Sequence, residues 1–259
     1  MSERLRRFEA IDNFRDFGDY AGVAGRHVRP GRLFRSAHQA RATEADLVAL
    51  QALDLGVVVD LRRPSERRSQ PSRRPAGFAA RLIESAHDDG GEAPHMTFLK
   101  TADLTEESGR AFMTDTYRRL PFEASHIDLF RRYFEALADS DRPVLIHCAA
   151  GKDRTGLLAA LTHHLLGVGH DDLMADYLLT NTAVDLDGQA GFIAERLRSM
   201  TGRTASHAAV VAFLGVAPGF LDAALAEMTS THGSVDGYLA EALGVDTARR
   251  DRIVERLSA

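Results

Sequence analysis

Cys148 and Arg154 stand at the two ends of a run of small residues, in the stretch HCAAGKDRTG from His147 to Gly156. A thiolate is a strong nucleophile, and a guanidinium six positions on can grip two oxygens of a tetrahedral anion at once. Before the stretch lies an apolar run, Val144 to Ile146, that reads as a strand; after it, from about Arg154, comes a helical pattern. Backbone N–H groups at a helix start have no partner of their own, and the macrodipole adds about half a positive charge there. Ala149, Ala150 and Gly151 are too small to keep an anion away from those groups, so Ala149, Ala150, Gly151, Lys152, Asp153 and Arg154 form a candidate phosphate cradle. The same field favours the thiolate form of the nucleophile. His147 is placed to steady the loop through hydrogen bonds, and the Thr155 hydroxyl to steady the sulfur as a leaving group. The chemistry this arrangement suits is attack of sulfur on phosphorus.

Other readings of the same residues are weaker. A nucleotide-binding P-loop needs glycine five positions before Gly-Lys and a hydroxyl residue after it, but Ile146 and Asp153 occupy those positions. A lone cysteine without context is more often a buried packing residue; the spacing to Arg154, with a strand before and a helix after, argues otherwise. A sulfurtransferase also sets a cysteine in an anion cradle, and persulfide transfer from thiosulfate would distinguish it. A module that binds phosphorylated partners without turnover is the third class, although keeping both Cys148 and Arg154 argues for catalysis.

The elements that must hold this loop can be read along the chain. Arg29 to Ala37 reads as a turn and a short strand, Thr43 as an N-cap with Asp46 three residues on, and Gly56 as that helix's stop. GVVVDL has the continuous β-branched pattern of a parallel strand buried on both faces, and GFAARLIES resembles another. Between them, Arg62 to Pro75 reads as a polar loop with six arginines and one glutamate. Ile127, Phe130, Phe134 and Leu137 share one face of an amphipathic helix, and Leu158, Leu161 and Leu165 line another that Gly167 would cap. The final third is helical, Asp171 and Asp172 standing at a helix start. Strands alternating with helices, then helices alone, predict an α/β fold. Its central, mainly parallel sheet is flanked by helices and followed by a helical C-terminal part, all in one domain over residues 1–259.

Composition narrows the function. The 259 residues are 44% hydrophobic and 27% charged, with a formal net charge of −5, which speaks against a general nucleic-acid coat. One cysteine rules out an internal disulfide and a thiolate-cluster metal site, and no metal or cofactor is expected. The start, MSERLRRFEA, lacks the apolar core of a signal peptide, and no run approaches membrane-spanning length. The expectation is a cytoplasmic protein without stable membrane insertion; export by a route needing no signal peptide, and the oligomeric state, stay open.

HCAAGKDRTG resembles the His-Cys-x5-Arg-[Ser/Thr] signature of cysteine-dependent protein tyrosine phosphatases, in the bacterial branch whose loop ends Gly-Lys-Asp-Arg-Thr-Gly. NFRDFGDY (Asn13 to Tyr20), PGRLFRSA, VVVDLRRPSER, ADYLLTN and GSVDGYLAEALGV resemble that family in the same order, so the likeness spans nearly the whole chain. It implies a phosphatase-type fold, a phosphocysteine intermediate on Cys148, activity on phosphotyrosine without a metal, and in some members activity on phosphoserine, phosphothreonine or phosphoinositides. The substrate would then be a phosphorylated protein or a phosphoinositide, phosphotyrosine being favoured if the site is deep.

The leaving oxygen needs a general acid. The family's acid is expected in the loop SAHDDGGEAPH, which offers Asp88, or His87, without the proline that precedes the aspartate in relatives. Asp153, inside the loop itself, is the other candidate, either to protonate the leaving group or to orient Arg154 and the attacking water. Asp60 reads as structural, an anchor for an arginine or a loop. Lys152 with Arg62, Arg63 or Arg67 could admit a second phosphate, the alternative being a solvated surface turn. His163 and His164 read as packing or surface residues.

Overall fold

β-branched and aromatic residues supply the strands, and their alternation sorts the core into two layers. β1 (Arg15–Asp16), β2 (Leu33–Ser36), β3 (Val57–Asp60), β4 (Arg81–Glu84) and β5 (Val144–His147) form one sheet in the order β1-β2-β5-β3-β4. Only β1 runs antiparallel to its neighbour; β2, β5, β3 and β4 are parallel. This computed structural model describes residues 4–87, 94–184 and 206–259, with short pieces between 188 and 204. Successive side chains on a strand point to opposite faces. Accordingly Leu33, Val57, Val59, Val144 and Ile146 join the larger core, while Phe34, Val58 and Leu145 meet Leu47 and Leu50 on the other face.

Leu47 and Leu50 belong to α1 (Glu44–Ala52), which starts in a capping box: Thr43 accepts from the Asp46 N–H, and the Asp46 carboxylate accepts from the Thr43 N–H. The other layer holds α5 (Ala124–Asp139) and α6 (Asp153–Leu165), whose Phe130, Phe134, Leu158 and Leu161 are fully buried. Around them lie α2 (Pro64–Ser69), α3 (Pro94–Thr101), α4 (Glu106–Arg119), α7 (His170–Ala183), α8 (His207–Leu214), α9 (Pro218–His232), α10 (Val235–Glu241) and α11 (Thr247–Leu257). The predicted mainly parallel sheet, flanking helices and helical C-terminal part are all present. Two local expectations fail. The helix α1 stops at Ala52, with Asp54 at φ +50, and Gly56 instead clears space for Arg142, whose Cβ would lie 2.5 Å from an added Cβ. Arg62 to Pro75 is not all loop: extended Arg63 precedes Pro64, which opens α2, and Glu66 accepts from the Arg63 N–H at 2.8 Å.

β5 is the middle strand, so the chain leaves the sheet at its centre, beyond the carboxyl ends where ligands of open α/β sheets bind. A buried brace fixes the loop after this strand. Asp176 on α7 accepts from Arg15 Nε at 3.0 Å and from Arg35 Nη1 at 2.7 Å, all three side chains being at most 1% exposed. Burial alone would raise the Asp176 pKa; the two guanidiniums override it and hold the carboxyl well below the usual range. Arg35 Nη2 then donates to the Gly151 carbonyl at 3.1 Å, and Asn13 Nδ2 to the carbonyls of Gly151 and Ala150 at 2.8 and 3.2 Å. Arg15 in turn holds Asn13 Oδ1. Removing one partner of a buried ion pair leaves the other charge uncompensated, so Asp176→Ala should cost about 3–5 kcal/mol of stability. Urea unfolding measures this, and a loss under about 1 kcal/mol would show that the brace does not hold the fold.

Candidate active site

Between β5 and α6 the chain turns around Gly151, which sits at φ +66. A Cβ there would lie 2.4 Å from the Ser36 carbonyl oxygen and 2.7 Å from the Ala37 nitrogen, so no other residue fits this close approach to β2. The brace holds the carbonyls of Ala150 and Gly151. In a trans peptide the N–H points opposite to the C=O, so the amides of Gly151 and Lys152 face away from the brace. The His38 N–H holds the Ala149 carbonyl at 3.2 Å, and the Leu61 N–H holds that of His147 at 2.8 Å. Cys148, 2% exposed, lies at the base of a cavity of about 290 Å³ that the whole loop except Gly151 helps to line. Phe112, Met113, Leu120, Phe213 and Leu214 give this cavity apolar walls, and Arg63, Arg119 and Glu123 also line it.

Arg154 crosses the cavity to α2. Its Nη1 donates to Glu66 Oε2 at 2.6 Å and to the Leu61 carbonyl at 3.1 Å, and its Nη2 to Glu66 Oε1 at 2.9 Å. Three of the five guanidinium N–H donors are thereby committed, leaving Nε–H and one N–H of Nη2 for an anion. Desolvation would lower the Arg154 pKa, but the Glu66 hydrogen bonds, with Cys148 close by, raise it. Desolvation of Glu66 is likewise overcome by Arg154, and its pKa falls to about 2.

Asp153 faces the same cavity; its Oδ1 accepts from the Tyr117 hydroxyl at 3.0 Å and lies 3.5 Å from Lys152 Nζ. Lys152 is 7% exposed and donates to the Phe213 carbonyl at the end of α8, at 2.8 Å. Of the three arginines suggested for a second phosphate, Arg62 is buried against Asp60, and Arg67 donates to the carbonyls of Arg62 and Ser85. Arg63 alone of these lines the cavity, with no ion pair within 4 Å among the described residues. The loop Asp88 falls outside the described residues, and His87 is exposed and not part of the cavity wall.

Supporting residues depart from expectation in detail. The buried His147 ring makes no well-formed hydrogen bond; it leans on the Cys148 backbone, with Asp60 Oδ2 3.7 Å from Nε2. Burial lowers its pKa to about 4, so the ring is neutral at pH 7. The Thr155 hydroxyl is buried without a hydrogen-bond partner, so the expected bond to the sulfur is not made. Asp60 anchors Arg62 through the Arg62 backbone N–H at 3.1 Å and its guanidinium, as read from sequence. His163 is a buried packing residue whose Nε2 meets the Phe17 carbonyl, His164 reaches Asp236 at the surface, and Asp171 and Asp172 begin α7.

Several contributors went unassigned in the sequence: Asn13, Arg15, Arg35 and Asp176 of the brace, Glu66, Tyr117, and His126, which lines the cavity while its Nδ1 meets the Leu120 carbonyl at 2.9 Å. Some signal existed. Glu66 is the single acid among six arginines, and Arg15, Arg35 and Asp176 interrupt stretches that otherwise read as core. Nothing marks Tyr117 or His126.

Displacement at phosphorus, with backbone amides and a guanidinium receiving the oxygens, is the work of cysteine-dependent phosphatases, and that is the class this fold and site define. The chain belongs to the tyrosine phosphatase family, whose sequence model matches residues 6–259. It is 36% identical over 93% of its length to a Cupriavidus necator protein whose name assigns it provisionally to the tyrosine-protein phosphatases, covering 85% of that protein. It is 35% identical to the triple specificity protein phosphatase PtpB of Mycobacterium tuberculosis, over 96% of this chain and 97% of PtpB. A tyrosine-protein phosphatase of Nostoc commune is 28% identical over 86% of this chain and 73% of its own length. The chain is thus an enzyme, a protein tyrosine phosphatase.

The buried titratable groups set the acid limit of stability. His126 and His147 have pKa values lowered by burial to about 3 and about 4. The unfolded chain therefore binds more protons than the folded one below about pH 6.5, and each ring removes up to about 1.4 kcal/mol per pH unit on acidification. Glu66 and Asp60, both at about 2, add their loss only below about pH 4.5. Denaturant midpoints should accordingly begin to fall just below about pH 6.5, and a midpoint flat from there to about pH 5 would contradict the neutral buried histidines.

Proposed function

We propose that this tyrosine phosphatase hydrolyses phosphotyrosine through a phosphocysteine intermediate on Cys148. The observation that carries this reading is the guanidinium of Arg154, locked by Glu66 with two N–H donors to spare beside the sulfur's loop. The phosphate would sit over Cys148, on the loop amides from Ala149 to Arg154 and on those two donors. Sulfur attacks phosphorus, the S–P bond forms, and the tyrosine oxygen departs with a proton from Asp153. Water then attacks the phosphocysteine, gives its proton back to Asp153, and the S–P bond breaks to release phosphate. The apolar walls of the cavity suit an aromatic ring behind the phosphate. Hydrolysis of para-nitrophenyl phosphate and a phosphotyrosine peptide, in chelator, tests the reading. Cys148→Ser should abolish turnover, and Arg154→Lys should cost roughly 10²–10³ in kcat, since the fork that receives the transition-state oxygens is lost. Wild-type turnover retained by Cys148→Ser would refute it.

A second substrate class is supported by Arg63, the cation on the cavity wall without an ion pair among the described residues, and by the wide specificity in the name of the mycobacterial relative. A bisphosphorylated inositol headgroup would set its second phosphate there. Arg63→Ala should then lower kcat/KM roughly 10- to 100-fold on such a headgroup, and less on a phosphotyrosine peptide; equal losses on both would remove this reading.

A further inference from the structure

Two tyrosines that take no part in the chemistry above stand behind Asp153. Tyr177 on α7 donates to the Tyr117 hydroxyl at 2.8 Å, and Tyr117 on α4 donates to Asp153 Oδ1 at 3.0 Å. Tyr117 is 0% and Tyr177 1% exposed, and their rings meet edge to face at 6.2 Å. Tyr177 is wedged in place by Gly156, where a Cβ would come within 3.0 Å of its ring. A phenol has one proton to give. Because Tyr117 accepts from Tyr177, its own proton goes to Asp153, and the chain of bonds runs in one sense only. Burial first, and the Asp153 charge second, raise both phenol pKa values well above the ordinary range, so the tyrosines stay protonated and give no proton away. Oδ1 also faces Lys152 Nζ at 3.5 Å. It is therefore the oxygen of Asp153 turned toward donors, which leaves Oδ2 to carry a transferable proton.

We propose that Tyr117, backed by Tyr177, is a positioning residue that holds Asp153 by Oδ1 so that Oδ2 delivers the proton to the leaving oxygen. The inference rests on the reading of Asp153 as the proton donor. No bond to Tyr117 is made or broken in the reaction; its hydroxyl fixes the carboxyl rotamer from a wholly buried helix face.

Leaving-group dependence separates this role from a merely structural one, because an acid matters most when the departing oxygen is basic. Phenyl phosphate and para-nitrophenyl phosphate, with a basic and an acidic leaving group, would be compared in wild type, Tyr117→Phe, Tyr177→Phe and Asp153→Asn. Asp153→Asn should slow phenyl phosphate by roughly 10²–10⁴-fold and the nitrophenyl ester far less. Tyr117→Phe should show the same pattern at roughly tenfold, Tyr177→Phe a smaller loss in the same sense, and Tyr117→Phe should add nothing on top of Asp153→Asn. A Tyr117→Phe enzyme slowed equally on both esters, or on neither, while Asp153→Asn keeps its steep pattern, would overturn the positioning role alone. Equal losses on both esters for Asp153→Asn itself would remove the acid and the positioning role together. Should Tyr117→Phe fail to fold by circular dichroism, Tyr177→Phe decides, a loss confined to phenyl phosphate supporting the proposal and a uniform loss defeating it.

Discussion

One carboxylate, Asp176, holds two fully buried guanidiniums, Arg15 and Arg35, and through them the peptide carbonyls of the loop after β5. A hydrophobic trio could fill the same volume at similar or better stability, since burying charges carries a desolvation cost that their attraction only partly offsets. An apolar trio could not hold the Gly151 carbonyl. With Asn13 pulling on the neighbouring peptide, the brace decides which way the loop amides point. The close approach of Gly151 to Ser36 is the steric half of the same constraint.

Two further ion pairs, one buried and one partly buried, hold arginines near the site. Asp60 takes Arg62 at the end of β3, and Glu66 takes Arg154 at the start of α2. Each pairing restrains a long side chain that would otherwise carry considerable rotamer entropy. Arg154 gains most, because two bonds to one carboxylate fix the plane of the guanidinium as well as its place. A fork already held in one plane would give up little further freedom on meeting the phosphate proposed for its two spare donors.

The helical C-terminal part belongs to the site. α8 supplies Phe213 and Leu214 to the cavity wall, and the Phe213 carbonyl receives the Lys152 ammonium. α7 supplies both Asp176 to the brace and Tyr177 behind Asp153. α4 brings Tyr117, Met113 and Phe112 to the same place from earlier in the chain. Separate stretches of the chain therefore converge on one short loop.

Local sequence alone determined the setting of Cys148. Val144 to Ile146, small residues after Cys148, and the stripe Leu158, Leu161, Leu165 dictate strand, turn and helix by short-range sterics and burial, and Arg154 comes at a fixed step. The sheet's parallel character and the N-cap at Thr43 are legible for the same reason: their determinants lie within a few residues of one another. Where the structure departs from the sequence pattern, local determinants compete: Pro64 opens a helical turn within an arginine-rich stretch, and α1 ends before Gly56. Tertiary structure decided which charge met which. Arg62, Arg63 and Arg67 are near neighbours in sequence, yet one is buried on Asp60, one lines the cavity and one holds backbone carbonyls. The brace joins residues 161 and 141 positions apart, and Tyr117 meets Asp153 across 36. No short-range rule pairs residues so far apart; packing of α7 on α6, and of α4 on α8 and α9, brings them within hydrogen-bond reach.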